Sequence, residues 1–174
     1  MQINRHTGKL LINAIGFQAL WFLCVLGQDS LILIPLGILI THISLSTNRK
    51  QELLMIGTTL LVGSICDSLL TYWGVFNFAK DNLMLGIIPL WLVILWAGFG
   101  ATLKHSLNYL FKHLHLFPLF CAAIAPLSYI AGERLGAVSL PLPTLQSYAI
   151  LAAAWGVVAL ILQWFDRHLP VLND

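Results

Sequence analysis

The chain has 174 residues, 59% of them hydrophobic and 9% charged, with a net charge of +2. Soluble domains carry about 25% charged residues, so this chain has too little charge to cover a water-facing surface. It reads as one integral membrane domain with short loops, and the small net charge without a basic cluster argues against a nucleic-acid partner.

The start of the chain is basic, with Arg5, His6 and Lys9. Residues 10–27 then form a first apolar span. Its end, Cys24-Val-Leu-Gly-Gln-Asp-Ser30, lacks the small-x-small pattern of a cleavage site, so the span is expected to be retained. A short turn leads into a second span at 31–46, interrupted near Pro35, where a re-entrant segment is the alternative. Asn48 to Glu52 is a charged loop. The third span, 53–76, holds Asp67. The fourth, 84–103, holds Pro89, Trp91 and Trp96.

From residue 103 to 114 the pattern becomes amphipathic, with Leu103, Leu107, Leu110, Phe111 and Leu114 on one stripe and Lys104, Asn108 and Lys112 off it. That spacing predicts a helix lying in the membrane interface. The fifth span is 116–136. Pro141-Leu-Pro143 is a stiff turn, and the sixth span is 145–165. The predicted fold is therefore an all-α bundle of six transmembrane helices in a single domain. Three cysteines, Cys24, Cys66 and Cys121, lie in apolar runs without metal or disulfide spacing and read as small buried hydrophobes.

With six spans, Arg5, Lys9, Arg49, Lys50, Lys104, Lys112 and Arg167 fall on one side and Lys80 and Arg134 on the other. This bias predicts that both termini are cytoplasmic. At 1.5 Å per residue, Asp67 and Tyr129 both lie about 20 Å up their spans, in the outer half of the membrane.

The stretch from Pro126 to Gly136 (Pro-Leu-Ser-Tyr-Ile-Ala-Gly-Glu-Arg-Leu-Gly) carries a hydroxyl, an acid and a base within an apolar setting. Ala122, Pro126, Tyr129, Glu133 and Gly136 share one helix face of roughly 80°. Gly63, Ser64, Thr71 and Gly74 share the face of Asp67. A carboxylate at that depth is costly unless paired, protonated or hydrated. Asp67, Arg134 and Tyr129 are thus the candidate catalytic residues, with Arg134 or Tyr129 expected as partner of Asp67. The competing reading is a structural clamp between the third and fifth spans. Candidate ligand-binding residues are Gln18, Trp21, Trp91, Trp96 and Glu133.

All six histidines fall on the cytoplasmic side. A metal site drawn from His105, His113 and His115, with His42, is the weaker reading, because no pair has the i, i+4 spacing of a helical metal pair. Placement near lipid headgroups explains them as well. No cofactor is expected. No nucleophile arrangement, phosphate loop or dinucleotide fingerprint is present.

Four stretches carry a family likeness: Asn13 to Gly27, Cys66 to Gly74, Pro89 to Ser106 and Pro126 to Ala137. They resemble a family of small proteobacterial inner-membrane proteins catalogued only as a domain of unknown function. The fitting positions include Gln18, Trp21, Asp67, Pro89, Trp91, Trp96, Thr102, Ser106, Tyr129 and Arg134. Glu133 departs from that pattern, which has a small residue there, and this shifts the weight to Arg134. The resemblance implies an inner-membrane location and no established activity.

Pro89-Leu-Trp91 with Trp96 is also similar to a segment of tryptophan-rich sensory proteins, although those have five spans. The size and span number look like substrate-binding subunits of vitamin transporters, whose Ala-x-x-x-Ala docking face is missing here. Three functions stay open. One is a periplasmic-side site that binds or modifies a lipid or small apolar molecule. The others are a transporter subunit or permease, and an assembly partner of another membrane protein.

Overall fold

In the computed structural model, residues 5–79 and 81–168 are described. Among them the chain forms α1 (Arg5–Gly27), α2 (Leu33–Leu45), α3 (Arg49–Tyr72), α4 (Leu90–Leu103), α5 (Asn108–Lys112), α6 (Leu116–Arg134) and α7 (Thr144–His168). A two-residue antiparallel hairpin, β1 (Met84–Leu85) and β2 (Ile88–Pro89), precedes α4.

Helix α4 is apolar on every side, and nearly all its residues are buried. A helix without a polar face belongs at the centre of a bundle, and α1, α2 and α3 pack around it while α6 pairs with α7. The close fit of α3 on α4 depends on glycine. A Cβ on Gly100 would stand 2.9 Å from the Ile56 Cα. The outer surface is built the other way round, with Ile12, Ile15, Leu61, Ile65, Val157 and Leu160 exposed, while Thr59, Asp67, Thr102, Ser147 and Gln163 are buried. Apolar outside and hydrogen-bonding inside is the arrangement that lipid demands.

Among the described residues, four segments are long and apolar enough to cross a membrane: Thr7–Leu31, Arg49–Tyr72, Leu116–Arg134 and Thr144–His168. Helices α2 and α4 are shorter, with 13 and 14 residues, or about 20 Å against a core of ~30 Å. The expected fourth span at 84–103 is thus helical only from Leu90. Gly86 has φ +72° and turns the hairpin, and extended Pro89 caps the helix start.

The interfacial helix expected over 103–114 is not continuous either. Its backbone breaks after Leu103, and only α5 follows. The corner is claimed by a long-range contact: the Asn13 carboxamide accepts from Ser106 N and Ser106 Oγ at 3.1 and 2.6 Å and donates to Ala101 O at 3.0 Å.

Side-chain ties show that the helices alternate in direction. At one end His42, Glu52 and His105 meet, Asn13 grips the end of α4, and Lys104 pairs with Asp166. At the other end Asp29 accepts from Leu83 N.

Also at that end, α3 and α6 finish alike. Each closes with a left-handed glycine, Gly74 at φ +73° and Gly136 at φ +77°. The Val75 amide donates to Leu70 O and Gly74 N to Thr71 O; Ala137 N donates to Gly132 O and Gly136 N to Glu133 O. This is the Schellman closure, which suits a residue without a Cβ. Asn77 and Ser139, each three residues past its glycine, then exchange two backbone hydrogen bonds of 2.9 Å. The two helix ends are thereby locked at one level.

Candidate functional site

That lock sets the height of the buried polar pair. Asp67 lies two turns before Gly74 and Tyr129 two turns before Gly136, so they face each other across the bundle. The Tyr129 hydroxyl donates to both carboxylate oxygens of Asp67, at 2.9 and 3.0 Å. The Trp96 indole Nε1 donates to Asp67 Oδ2 at 2.7 Å. Asp67 is 0% exposed. Its partners join α3, α4 and α6 in one network, which answers the cost of burying an acid.

The indole reaches Asp67 because α3 has no side chain in its way. A Cβ on Gly63 would stand 1.9 Å from Trp96 Cδ2. Trp155 of α7 stacks on Trp96 with ring centroids 4.5 Å apart, and Phe76 stacks on Tyr129 at 5.1 Å. Each donor of the network is thus stacked on a second aromatic ring.

The expected pairing of Asp67 with Arg134 is not made. Arg134 is exposed and has no ion pair among the described residues. It lies five residues beyond Tyr129, about 140° round the helix, at the helix end where its charge stays hydrated. Glu133 is also outside the network: its Oε1 accepts from Leu140 N at 2.9 Å and pins the chain after α6. Gln18 is exposed on the outer side of α1.

Beside the network is a cavity in which the centre of a water-sized sphere can move through ≈ 70 Å³. Trp21, Trp91, Trp96, Phe99, Tyr129 and Trp155 are among its walls, and no charged side chain of the described residues lines it. Asp67 stands behind that wall and does not line it, so its role runs through Trp96 and Tyr129. Trp91 is 3% exposed, and its indole N–H has no hydrogen-bond partner among the described residues. Of the expected ligand-binding residues, Trp21, Trp91 and Trp96 come together here. Trp155, like Trp91 and Trp96 a tryptophan deep in its span, joins them, as does Phe99, which was not singled out because its pairing depends on helix rotation. Trp73 and Trp164 point outward, as residues of an aromatic belt do.

The opposite end holds a group that the sequence reading divided differently. His42 Nε2 is 2.7 Å from Glu52 Oε1, and His105 Nε2 is 2.9 Å from Glu52 Oε2. His113 instead bonds its own helix at Tyr109 O, and both His113 and His115 are exposed. The missed residue is Glu52. Its signal was topological: His42 ends one apolar run, Glu52 begins the next, and His105 follows the end of a third on the same side.

Outward apolar faces, inward polar groups and span-length helices define a helical membrane protein. The chain belongs to the family described as a protein of unknown function (DUF2878), whose model matches residues 10–161. That range holds Asp67, Trp91, Trp96, Tyr129 and the His42, Glu52 and His105 group. No curated protein and no solved structure matches the chain.

Proposed function

We propose that this protein binds a lipid chain or small apolar molecule that carries a hydrogen-bond acceptor, in the cavity walled by Trp91, Trp96 and Tyr129. The observation that carries this is the Trp91 N–H. Buried donors are almost always paired, and leaving one unpaired costs about 1–3 kcal/mol. A small rotation of the indole would bring this N–H to an ester, ether or hydroxyl oxygen in the cavity, while the aromatic rings cover the attached hydrocarbon. Tyr129 and Ser128 are polar wall residues, and Asp67 positions Tyr129. The absence of charged lining residues speaks against a charged solute and so against the transporter reading.

Helices α1 and α6 both line the cavity, yet α1 packs on α2 and α4 rather than on α6. A ligand would therefore enter sideways from the bilayer between α1 and α6. In this reading all six long or apolar helices cross an inner membrane, with α2 and α4 completed by the adjoining turn and hairpin. The Lys and Arg distribution supports this reading, with both termini cytoplasmic and the cavity in the periplasmic half. A membrane-protein partner fits the same surface but has no observation of its own in support.

The test is native mass spectrometry of the protein released from lipid nanodiscs, with extraction and identification of retained lipid. Native protein is expected to retain about one ligand. The variant Trp91→Phe keeps an aromatic ring, though a smaller one, and loses the donor; it should retain several-fold less ligand while circular dichroism shows it still folded. Equal retention by both proteins, or no retained ligand in the native one, would overturn the proposal.

A further inference from the structure

The group at the other end of the molecule is unused by the cavity reading and stands independently of it. We infer that His42, Glu52 and His105 bind one divalent transition-metal ion of the zinc class, with coordination positions left open toward the adjoining cleft.

The three ligands come from three elements: the last turn of α2, the first turn of α3 and the turn after α4. Both imidazoles direct Nε2 at one carboxylate, one at each oxygen. Their rings are nearly perpendicular, with centroids 5.0 Å apart, so two nitrogens and a carboxylate converge without stacking. One ligand atom from each residue lies within 4.8 Å of the others. Atoms bound to one Zn²⁺ at about 2.0–2.1 Å in tetrahedral geometry would stand about 3.3 Å apart. Small side-chain rotations therefore bring the three atoms onto a common ion.

Burial and access also fit. The Glu52 side chain is 7% exposed, while those of His42 and His105 are 21% and 37% exposed. The carboxylate is thus fixed in protein, with Ser46 Oγ at 3.5 Å from Oε2, and the imidazoles face outward. Both histidines line a cleft of ≈ 540 Å³ shared with Lys9, Asn13 and Thr41, which gives an aqueous ion a route in. Imidazole with carboxylate suits zinc, iron or cobalt better than calcium or magnesium, which prefer oxygen ligands throughout. Three protein ligands leave room for water or an incoming ligand, as in zinc sites built from two histidines and a glutamate.

The competing arrangement is a hydrogen-bonded clamp, in which two imidazole N–H groups simply hold the buried carboxylate. Titration of the full-length protein separates the two. The protein is purified through a tag without histidines, stripped with chelator and titrated with Zn²⁺ by calorimetry and with Co²⁺ by visible absorption. We expect saturation at one equivalent and ligand-field bands of nitrogen–oxygen coordination. His42→Ala and His105→Ala should weaken binding by more than the roughly 10–100-fold that loss of an outer-shell partner costs. His113→Ala combined with His115→Ala should leave it unchanged. Zn²⁺ should raise the unfolding midpoint of the native protein and not of the His105→Ala variant. No one-equivalent binding of either ion to native protein would leave the clamp alone and overturn the inference. So would binding that disappears with His113 and His115; the native titration decides even if a variant fails to fold.

Discussion

Gly63→Ala is the sharpest perturbation of the buried network. The added Cβ would stand 1.9, 2.2 and 2.4 Å from three atoms of the Trp96 ring. Ordinary contact needs about 3.5–4.0 Å, so the indole must withdraw by more than 1 Å. That motion stretches the 2.7 Å bond from Trp96 Nε1 to Asp67 and disturbs the stack on Trp155. Overpacking costs about 1–3 kcal/mol, and a weakened hydrogen bond to a buried acid about 1–3 kcal/mol. The gain from replacing a helical glycine is about 0.8–1.0 kcal/mol. The net expectation is a loss of about 3 kcal/mol, within a range of about 1–5.

Gly57 provides the control: it lies on the same helix, and a Cβ there meets nothing within 4 Å. Gly57→Ala should be neutral or stabilising by up to about 1 kcal/mol. The assay is unfolding in mixed micelles titrated with sodium dodecyl sulfate, followed by circular dichroism. If the two alanine variants unfold together, the indole is not seated against α3 and the account of the network is wrong. Combining Gly63→Ala with Trp96→Phe should show strong non-additivity, since the smaller ring removes the clash.

Tyr129→Phe keeps the ring that Phe76 stacks on and deletes only the hydroxyl. It should cost about 1–3 kcal/mol in the same titration, and an unchanged midpoint would mean that Asp67 is held by Trp96 alone. Asn13→Ala removes the ties between α1 and the corner after α4. A loss of about 2 kcal/mol is expected, with faster hydrogen exchange at the Ser106 amide; unaltered exchange there would dismiss the tie.

Much of this was legible along the chain. Composition marks a membrane protein, and Gly136 marks the end of the fifth span, whereas the third span, drawn to residue 76, overran its close at Gly74. Rise per residue placed Asp67 and Tyr129 at one depth, because depth depends only on position within a helix. The break after Leu103 was not legible: a good amphipathic stripe was overruled by Asn13, a residue distant in sequence. Of the two partners expected for Asp67, Tyr129 is in place and Arg134 is not, while Trp96 was not foreseen as a donor to it. Charge attraction pointed to Arg134, but a guanidinium at a helix end keeps its hydration, and the buried acid is met instead by neutral N–H and O–H donors.

Local pattern alone thus determined the class of protein, the approximate helices, the buried acid and the separation of histidines from it. These depend on transfer of side chains between water and hydrocarbon and on the backbone limits of glycine and proline, both properties of short stretches. Tertiary structure decided which face of each helix meets which. It set Trp96 on Gly63, gathered four tryptophans around one cavity, and closed His42 and His105 on Glu52. Those choices follow from the rotation of each helix about its axis, which packing among all the helices sets together.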